Sequence, residues 1–387
     1  MQTHSILLEN KYQIQIFESI TKIDAFIWNT INTDIAFYQT HEFLSTIEIL
    51  HPSIGFRYVL VYDNSELVAA IYVQLLNFSY KNLVNYGTEK NKGVKSSVKK
   101  YIAKKNTKLL NLGNVFFTGD NGIISKNEDT ISMHIPTIFR HIHQSFQEQK
   151  PKAFLIANIY LQDEVKCANY CNGAFHPFIT EPDMFMHIDN SWTSFDDYVQ
   201  ALASKYRIRA KKVLAVSNNI TSKELSLTEI QTQAADFNKL YNNVVNHVAF
   251  NMATLNIQFF EEMKKLYCDN CCILGYYLED ELVSFACLFQ VDVSTVHVHY
   301  IGLNYEINKS HKLYNRMLLD FVKFAIEKRK FRIHFGRTAT EIKTTIGAKP
   351  NELRAYLKMQ NPIFNRMLPY FLNRIKPQEY IVRNPFK

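Results

Sequence analysis

Two periods of apolar and polar positions run through the chain, and the switches between them outline its elements. "VYDNSELVAAIYVQ" (61–74) is an apolar run, a short polar turn and a second apolar run, the pattern of a β-hairpin. "YYLEDELVSFACLFQ" (276–290) repeats it. Tyr62, Glu66, Leu67 and Val68 match Tyr277, Glu281, Leu282 and Val283 at one offset of 215 residues. The segment after each hairpin also recurs. "ISMHIPTIFRHIHQSFQEQ" then "KPKAFLIANI" reads as helix, basic turn and strand, and "HKLYNRMLLDFVKFAIEKRK" then "FRIHFGR" reads the same way. Here the offset, Lys152 to Lys330, is 178 residues. The first half therefore carries about 37 additional residues between hairpin and helix, and "EKNKGVKSSVKKYIAKKNTK" (89–108), with eight Lys and one Glu, lies among them.

A pattern met twice at long period points to duplication. Strands bracketing helices predict an α/β fold with twisted mixed sheets and helices on both faces, one such domain in each half. A seam is expected near "HIDNSWTSFDDYVQ" (187–200), where a strand-like run ends and Ser194 can cap a new helix. The expected domains are 1–190, with a basic insertion near 88–125, and 191–387, the second being the active one.

Composition narrows the class. At 387 residues the chain exceeds one ordinary core, and 47% apolar content excludes disorder as its main state. Lys and Arg number 44 against 36 Asp and Glu, a net charge of +8, which suits an anionic partner. The first residues lack the pattern of a secretion signal, and no apolar run is long enough to span a bilayer. The six cysteines are then expected as reduced thiols, and the protein as cytoplasmic, with a peripheral place on the inner face of a membrane as a further expectation. "CDNCC" and "CANYC" do not have matched zinc spacing, so no metal is expected. The lysine run lacks interleaved aromatics beyond Tyr101, which argues against nucleic-acid stacking and against DNA as a partner.

A doubled hairpin–helix–strand unit resembles the GNAT acyltransferase superfamily in its double-domain, FemAB-like or BioF2-like form, which includes the FemABX peptidoglycan aminoacyltransferases. "NLGNVFFTGDNG" (111–122), "SKYRIRAKKVLA" (204–215) and the run from His299 to Ala348 carry the likeness. It implies transfer of an activated acyl group to an amine, with no bound cofactor and with acyl-CoA or an acyl carrier protein as co-substrate. Acetyl-CoA users of this fold hold the CoA pyrophosphate on a glycine loop before a helix. The matching stretch here, "NYEINKSHKLYNR", has no glycine, so acetyl-CoA itself is a doubtful donor and a carrier-bound acyl group, a differently held long-chain acyl-CoA or an aminoacyl-tRNA remain open.

Two stretches carry the candidate chemistry. "VHVHY" (296–300) reads as the strand lining the cleft. Strand alternation puts His297 and His299 on one face and Tyr300 on the other. His299 suits a base for the amine and Tyr300 an acid for the leaving group; the competing account makes both histidines core residues bonded to neighbours. "FGRTATEIKTTIGAKP" (335–350) is charged just past a strand end. Thr338 and Glu341 fit a capping box and Gly347 a helix stop. Arg337 stands before a helix N-terminus, an anion site for a phosphate or carboxylate. Thr338 and Lys343 join Arg337 as expected donor or substrate contacts, and Glu341 joins His299 and Tyr300 as an expected catalytic group. Lys205, Arg209 and Lys212 share a helical face, which is either a solvated basic face or the rim of the cleft.

"NPIFNRMLPYFLNRIKP" (361–377) places Asn361 as cap, Pro362 at the first helical position and an apolar stripe through Ile363, Phe364, Met367, Leu368, Phe371, Leu372 and Ile375. The stripe either packs on the second sheet or enters an anionic membrane surface. Three functions are compatible with these features: an N-acyltransferase whose acceptor is a lipid amine, a FemABX-type peptidoglycan aminoacyltransferase, or a non-catalytic module binding an acyl carrier or lipid.

Overall fold

The structure is a computed structural model that describes residues 5–8, 11–31, 36–79, 106–146, 149–248, 251–373, 375, 377 and 379–387. The lysine run at 89–108 falls outside these except for Asn106, Thr107 and Lys108, which open a strand.

The first compact unit comprises residues 1–180, 249–255 and 352–378. Its strands are β1 (Ser5–Leu8), β2 (Tyr12–Phe17), β3 (Gly55–Asp63), β4 (Glu66–Ser79), β5 (Asn106–Leu112), β6 (Ile123–Ser125), β7 (Ala153–Tyr160) and β8 (His176–Ile179). The second unit comprises 181–248, 256–351 and 379–387. It holds β9 (Asp183–His187), β10 (Ile220–Glu224), β11 (Cys271–Leu278), β12 (Glu281–Gln290), β13 (Thr295–Leu303), β14 (Arg332–His334) and β15 (Lys349–Asn351). The chain then returns to the first unit as β16 (Leu353–Met359). Helices used below are α1 (Glu128–Ser145), α2 (Ser204–Val216), α3 (Ala234–His247), α4 (Gln258–Tyr267), α5 (Leu313–Glu327), α6 (Thr340–Thr344) and α7 (Pro362–Leu372).

The first sheet runs β1-β2-β3-β4-β5-β7-β16-β8, with β6 also on β4; the second runs β10-β11-β12-β13-β14-β9-β15. Most pairs are antiparallel. The exceptions are equivalent: β5 with β7 and β13 with β14, each pair joined through a long helix, α1 or α5. The duplication extends to irregularities. Both hairpins carry a bulge one step from the turn, at Val61/Tyr62 and at Tyr276/Tyr277, the same offset of 215 residues. β12 is buried along eight successive positions, which accounts for its unbroken apolar run.

The seam is less simple than a division at 190. β9 leaves the first half of the chain to pair with β14 and β15, while β16 and α7 of the second half pack in the first unit. The reason lies in β14, which is three residues long and takes β9 as its second neighbour, Arg332 opposite His187 and His334 opposite Phe185. Residues 106–125, expected inside an insertion, instead supply β5 and β6. At the expected start of the second half, Ser194 does cap a helix, in a capping box with Asp197.

Gly302 on β13 shows how tightly the second unit is packed. A Cβ there would meet the Phe285 ring at 2.1 Å and Leu240 of α3 at 2.8 Å. Gly302→Ala should therefore cost about 1–3 kcal/mol by overpacking. Chemical denaturation checks this, and an unchanged midpoint would show that α3 shifts freely against the sheet.

Candidate active site

The site is built where a strand pair comes apart. β13 and β14 pair at Thr295–Arg332, Val296–Ile333 and His297–His334, and there the ladder ends, although β13 continues to Leu303. On its other side β13 pairs with β12, with a bulge: Cys287 faces Tyr300 and Leu288 faces Val298, so His299 is the extra residue. Alternation is broken at that point. His299 and Tyr300, expected on opposite faces, both turn to the Phe259 ring of α4, with centroids at 6.1 Å and 6.2 Å, and lie 4.2 Å from one another. Tyr241 of α3 meets Tyr300 edge-on at 5.7 Å.

Beside them three rings stack across the sheet. Phe185 of β9, His334 of β14 and His297 of β13 lie near-parallel, at 4.3 Å and 4.1 Å between successive centroids. The His334 Nε2 is 3.0 Å from an Asp183 carboxylate oxygen, without the alignment of a hydrogen bond. Burial pushes the pKa of His297 and His299 well below the ordinary value, and His334 adds to it for both. Both rings are therefore neutral at neutral pH. Burial also holds the proton on the Tyr300 hydroxyl.

Lys343 corrects the expectation that the charge past β14 reaches outward. It is 3% exposed, and its Nζ donates to the carbonyls of Phe335 (2.9 Å), Gly336 (3.3 Å) and Arg337 (2.8 Å). Three acceptors match the three protons of an ammonium. Burial draws its pKa down to about 7, opposed by Asp183 and Glu181. The strand-end turn it ties down has Gly336, Thr338 and Ala339 at positive φ, costly for the last two. The capping box is not formed: Ala339 is the N-cap of α6, with no side-chain cap, and Thr338 is exposed. Glu341 is exposed and pairs with Arg383 at 2.8 Å, which lowers its pKa, so it stands in a surface ion pair. Gly347 does end the helix, at φ 109, where the Ala348 and Gly347 N–H groups bond the Lys343 and Thr344 carbonyls.

Arg337 is half-buried, and its guanidinium makes no hydrogen bond or ion pair among the described residues. Its field, with that of Lys343, opposes the burial that raises the Glu181 carboxyl. Lys205, Arg209 and Lys212 are exposed on α2. Arg209 edges a recess lined by Tyr198, Tyr206, Val213, Leu319 and Ile346, elements other than those that carry His299. Cys271, Cys272 and Cys287 are buried, whereas Cys171 and Cys268 are exposed. Asp183, Glu181 and His334 are the site residues that the sequence reading missed. An acid opening an apolar strand, "DMFMH", is the one signal that pointed to Asp183.

At the start of α5, the glycine-free stretch folds as the helix Tyr305–His311, then Lys312 in the left-handed region, then α5 itself. Asn308 Oδ1 accepts from the Tyr314 N–H at 2.8 Å, so one of the open N–H groups of this helix end already has a protein partner.

A model of the FemAB-like family, described as peptidoglycan biosynthesis and recognition, matches residues 19–384. The chain belongs to the FemAB-like family. This membership supports an acyltransferase. A crystal structure of FemX is similar over 89% of this chain and 98% of its own, with 11% identity and a TM-score of 0.54, which shows the fold. A tandem GNAT protein from the clavulanic acid biosynthesis pathway covers 80% of this chain and 85% of its own, with 7% identity and a TM-score of 0.49. The C-terminal domain of a putative lysylphosphatidylglycerol synthetase from Agrobacterium fabrum covers 78% and 84%, with 6% identity and a TM-score of 0.44. No curated protein matches the chain in sequence.

The buried ammonium gives a test. Between pH 7 and its ordinary value of 10.5, the unfolded chain holds the Lys343 proton and the folded chain has released it, so stability rises with pH over that window. Lys343→Met removes this slope. The unfolding free energy of the wild type should rise relative to that of the variant from pH 7 to 10, whatever their offset. Parallel curves would show a lysine of ordinary pKa.

Proposed function

We propose that the second unit transfers an activated acyl group to an amine, with His299 as base and Tyr300 as acid. The observation that carries this is the bulge in β13, which turns both side chains to one side at the end of the broken ladder. The amine nitrogen attacks the acyl carbonyl carbon and a C–N bond forms. The amine proton passes to neutral His299, the bond to the carrier breaks, and the carrier's departing atom takes the Tyr300 proton. The low proton affinity of His299 leaves it unprotonated at neutral pH, and burial keeps the proton on Tyr300 until the departing atom takes it. Glu341, held by Arg383, has no part in this reading. Arg337 is the contact for the anionic group of donor or acceptor, since its guanidinium makes no hydrogen bond or ion pair among the described residues.

The donor is an acyl group whose carrier is not gripped as a CoA pyrophosphate at the start of α5, where Asn308 already caps. Acyl carrier protein, a differently held acyl-CoA and an aminoacyl-tRNA fit this condition. For the acceptor, the family description supports an amine of a peptidoglycan precursor. The net positive charge and the exposed apolar face of α7 support a lipid amine as the second reading. Parallel lipid and muropeptide profiles of a deletion strain separate the two: one loses an amide-linked lipid class, the other a cross-bridge or side-chain amide.

His299→Ala and Tyr300→Phe should each lower kcat by about a hundredfold or more with a smaller change in KM. Wild-type rates for both across pH 6 to 9 would overturn the assignment. Arg337→Ala should lower kcat/KM about tenfold or more and leave the melting temperature unchanged. A lower melting temperature with intact turnover would make Arg337 structural.

A further inference from the structure

Helix α7 presents Ile363, Phe364, Met367 and Phe371 of its apolar stripe to solvent. Asn361 caps it and Pro362 opens it. Only Leu368 and Leu372 are buried, while Ile363, Phe364, Met367, Tyr370 and Phe371 are 48–69% exposed. At about 100° per residue these five fill one arc of roughly 120° beside the buried one, and exposed Arg366 flanks it. The helix is anchored by its other side. Asn365 accepts from the Met359 N–H at 2.8 Å and donates to the Ala174 carbonyl at 3.1 Å. It packs on β16 and β8 of the first unit, not on the second sheet.

An outward arc of two phenylalanines, a tyrosine, an isoleucine and a methionine is larger than scattered surface apolar residues account for. Charge decides what covers it. Exposed Arg366 stands beside the arc, and from Asn361 to Gln378 the sequence has Arg366, Arg374 and Lys376 and no acidic residue. A second copy of the chain would bring the same sign to the same place. A soluble anion would leave the aromatic arc in water. An anionic bilayer meets both requirements, taking the arc into the headgroup boundary and the Arg366 guanidinium onto its phosphates. We infer that α7 is an interfacial helix that docks the protein on an anionic membrane surface. No helix among the described residues is long and apolar enough to cross a membrane, so the attachment is one of surface contact.

The test is sedimentation with phosphatidylglycerol–phosphatidylcholine vesicles and with phosphatidylcholine alone, at low and high salt, with no turnover measured. A failure here therefore leaves the acyl-transfer reading standing, and the reverse also holds. Wild type should pellet with the anionic vesicles at low salt and be released at high salt. The double variant Phe364→Asp, Phe371→Asp, both at exposed positions, should bind about tenfold or more weakly with an unchanged circular dichroism spectrum. Arg366→Glu, which spares the apolar arc, should weaken binding to the anionic vesicles and leave any residual binding to the neutral ones unchanged. Failure of wild type to pellet, or equal pelleting of the double variant, overturns the inference. So does a lipid-free dimer that the double variant converts to a monomer, since another copy would then be covering the arc.

Discussion

Between β13 and β14 the parallel ladder holds for three residue pairs and then opens, and the neighbouring sequence is arranged around that opening. A strand freed along one edge leaves backbone donors and acceptors that must find other partners or face solvent. On the β14 side the carbonyls of Phe335, Gly336 and Arg337 converge on the Lys343 side chain, that of Gly336 also accepting from the Met184 N–H. The turn accepts left-handed Thr338 and Ala339 because that cation fixes it from within. On the β13 side, the bulge at His299 twists the strand away and Gly302 lets α3 come close behind it. Between the two lies an edge of strand with no ladder, bordered by His299 and Tyr300.

Opening a sheet in its interior would ordinarily be unstable, and charge is what holds it. Asp183 and Glu181 oppose the burial that lowers Lys343, and Lys343 with Arg337 opposes the burial that raises Glu181. Removing one partner from such a buried set costs about 3–5 kcal/mol, because the rest is left uncompensated. The same region sets the state of two rings: burial, with His334 adding to it, keeps His297 and His299 neutral. One group of side chains thus has both a structural and an electrostatic role, and substitutions within it will move stability and pH profile together.

The legible parts of the sequence were those with a local cause. The two hairpins, their shared offset, the caps at Ser194 and Asn361 and the stop at Gly347 depend on neighbours within a few residues, and all appear in the structure. The bulge at His299 was not legible, because alternation holds until a partner strand slips by one residue and nothing in "VHVHY" records the slip. Lys343 was misread for a related reason. Its charge looked solvent-directed because its acceptors are backbone carbonyls, which have no sequence signature. Glu341 found Arg383 instead of Thr338, a partner 42 residues away that local capping rules cannot see. The exchange of β9 and β16 at the seam was hidden because it is a matter of which sheet each edge joins.

The start of α5 separates two properties that the resemblance to acetyl-CoA enzymes would join. A helix N-terminus binds phosphate because its first N–H groups lack partners. Here Asn308, carried on the preceding short helix, has already taken the N–H of Tyr314, and Lys312 rather than glycine occupies the left-handed position before it. A side chain at that position limits how closely a pyrophosphate can approach the backbone. The opening between β13 and β14 depends on neither feature, since it arises from the bulge and from the buried charges. On the proposed reading, the site at the opening and the grip on the carrier are thus independent of one another. A tandem chain with this arrangement can keep amide-forming chemistry and draw its acyl group from a carrier whose recognition lies elsewhere on its surface.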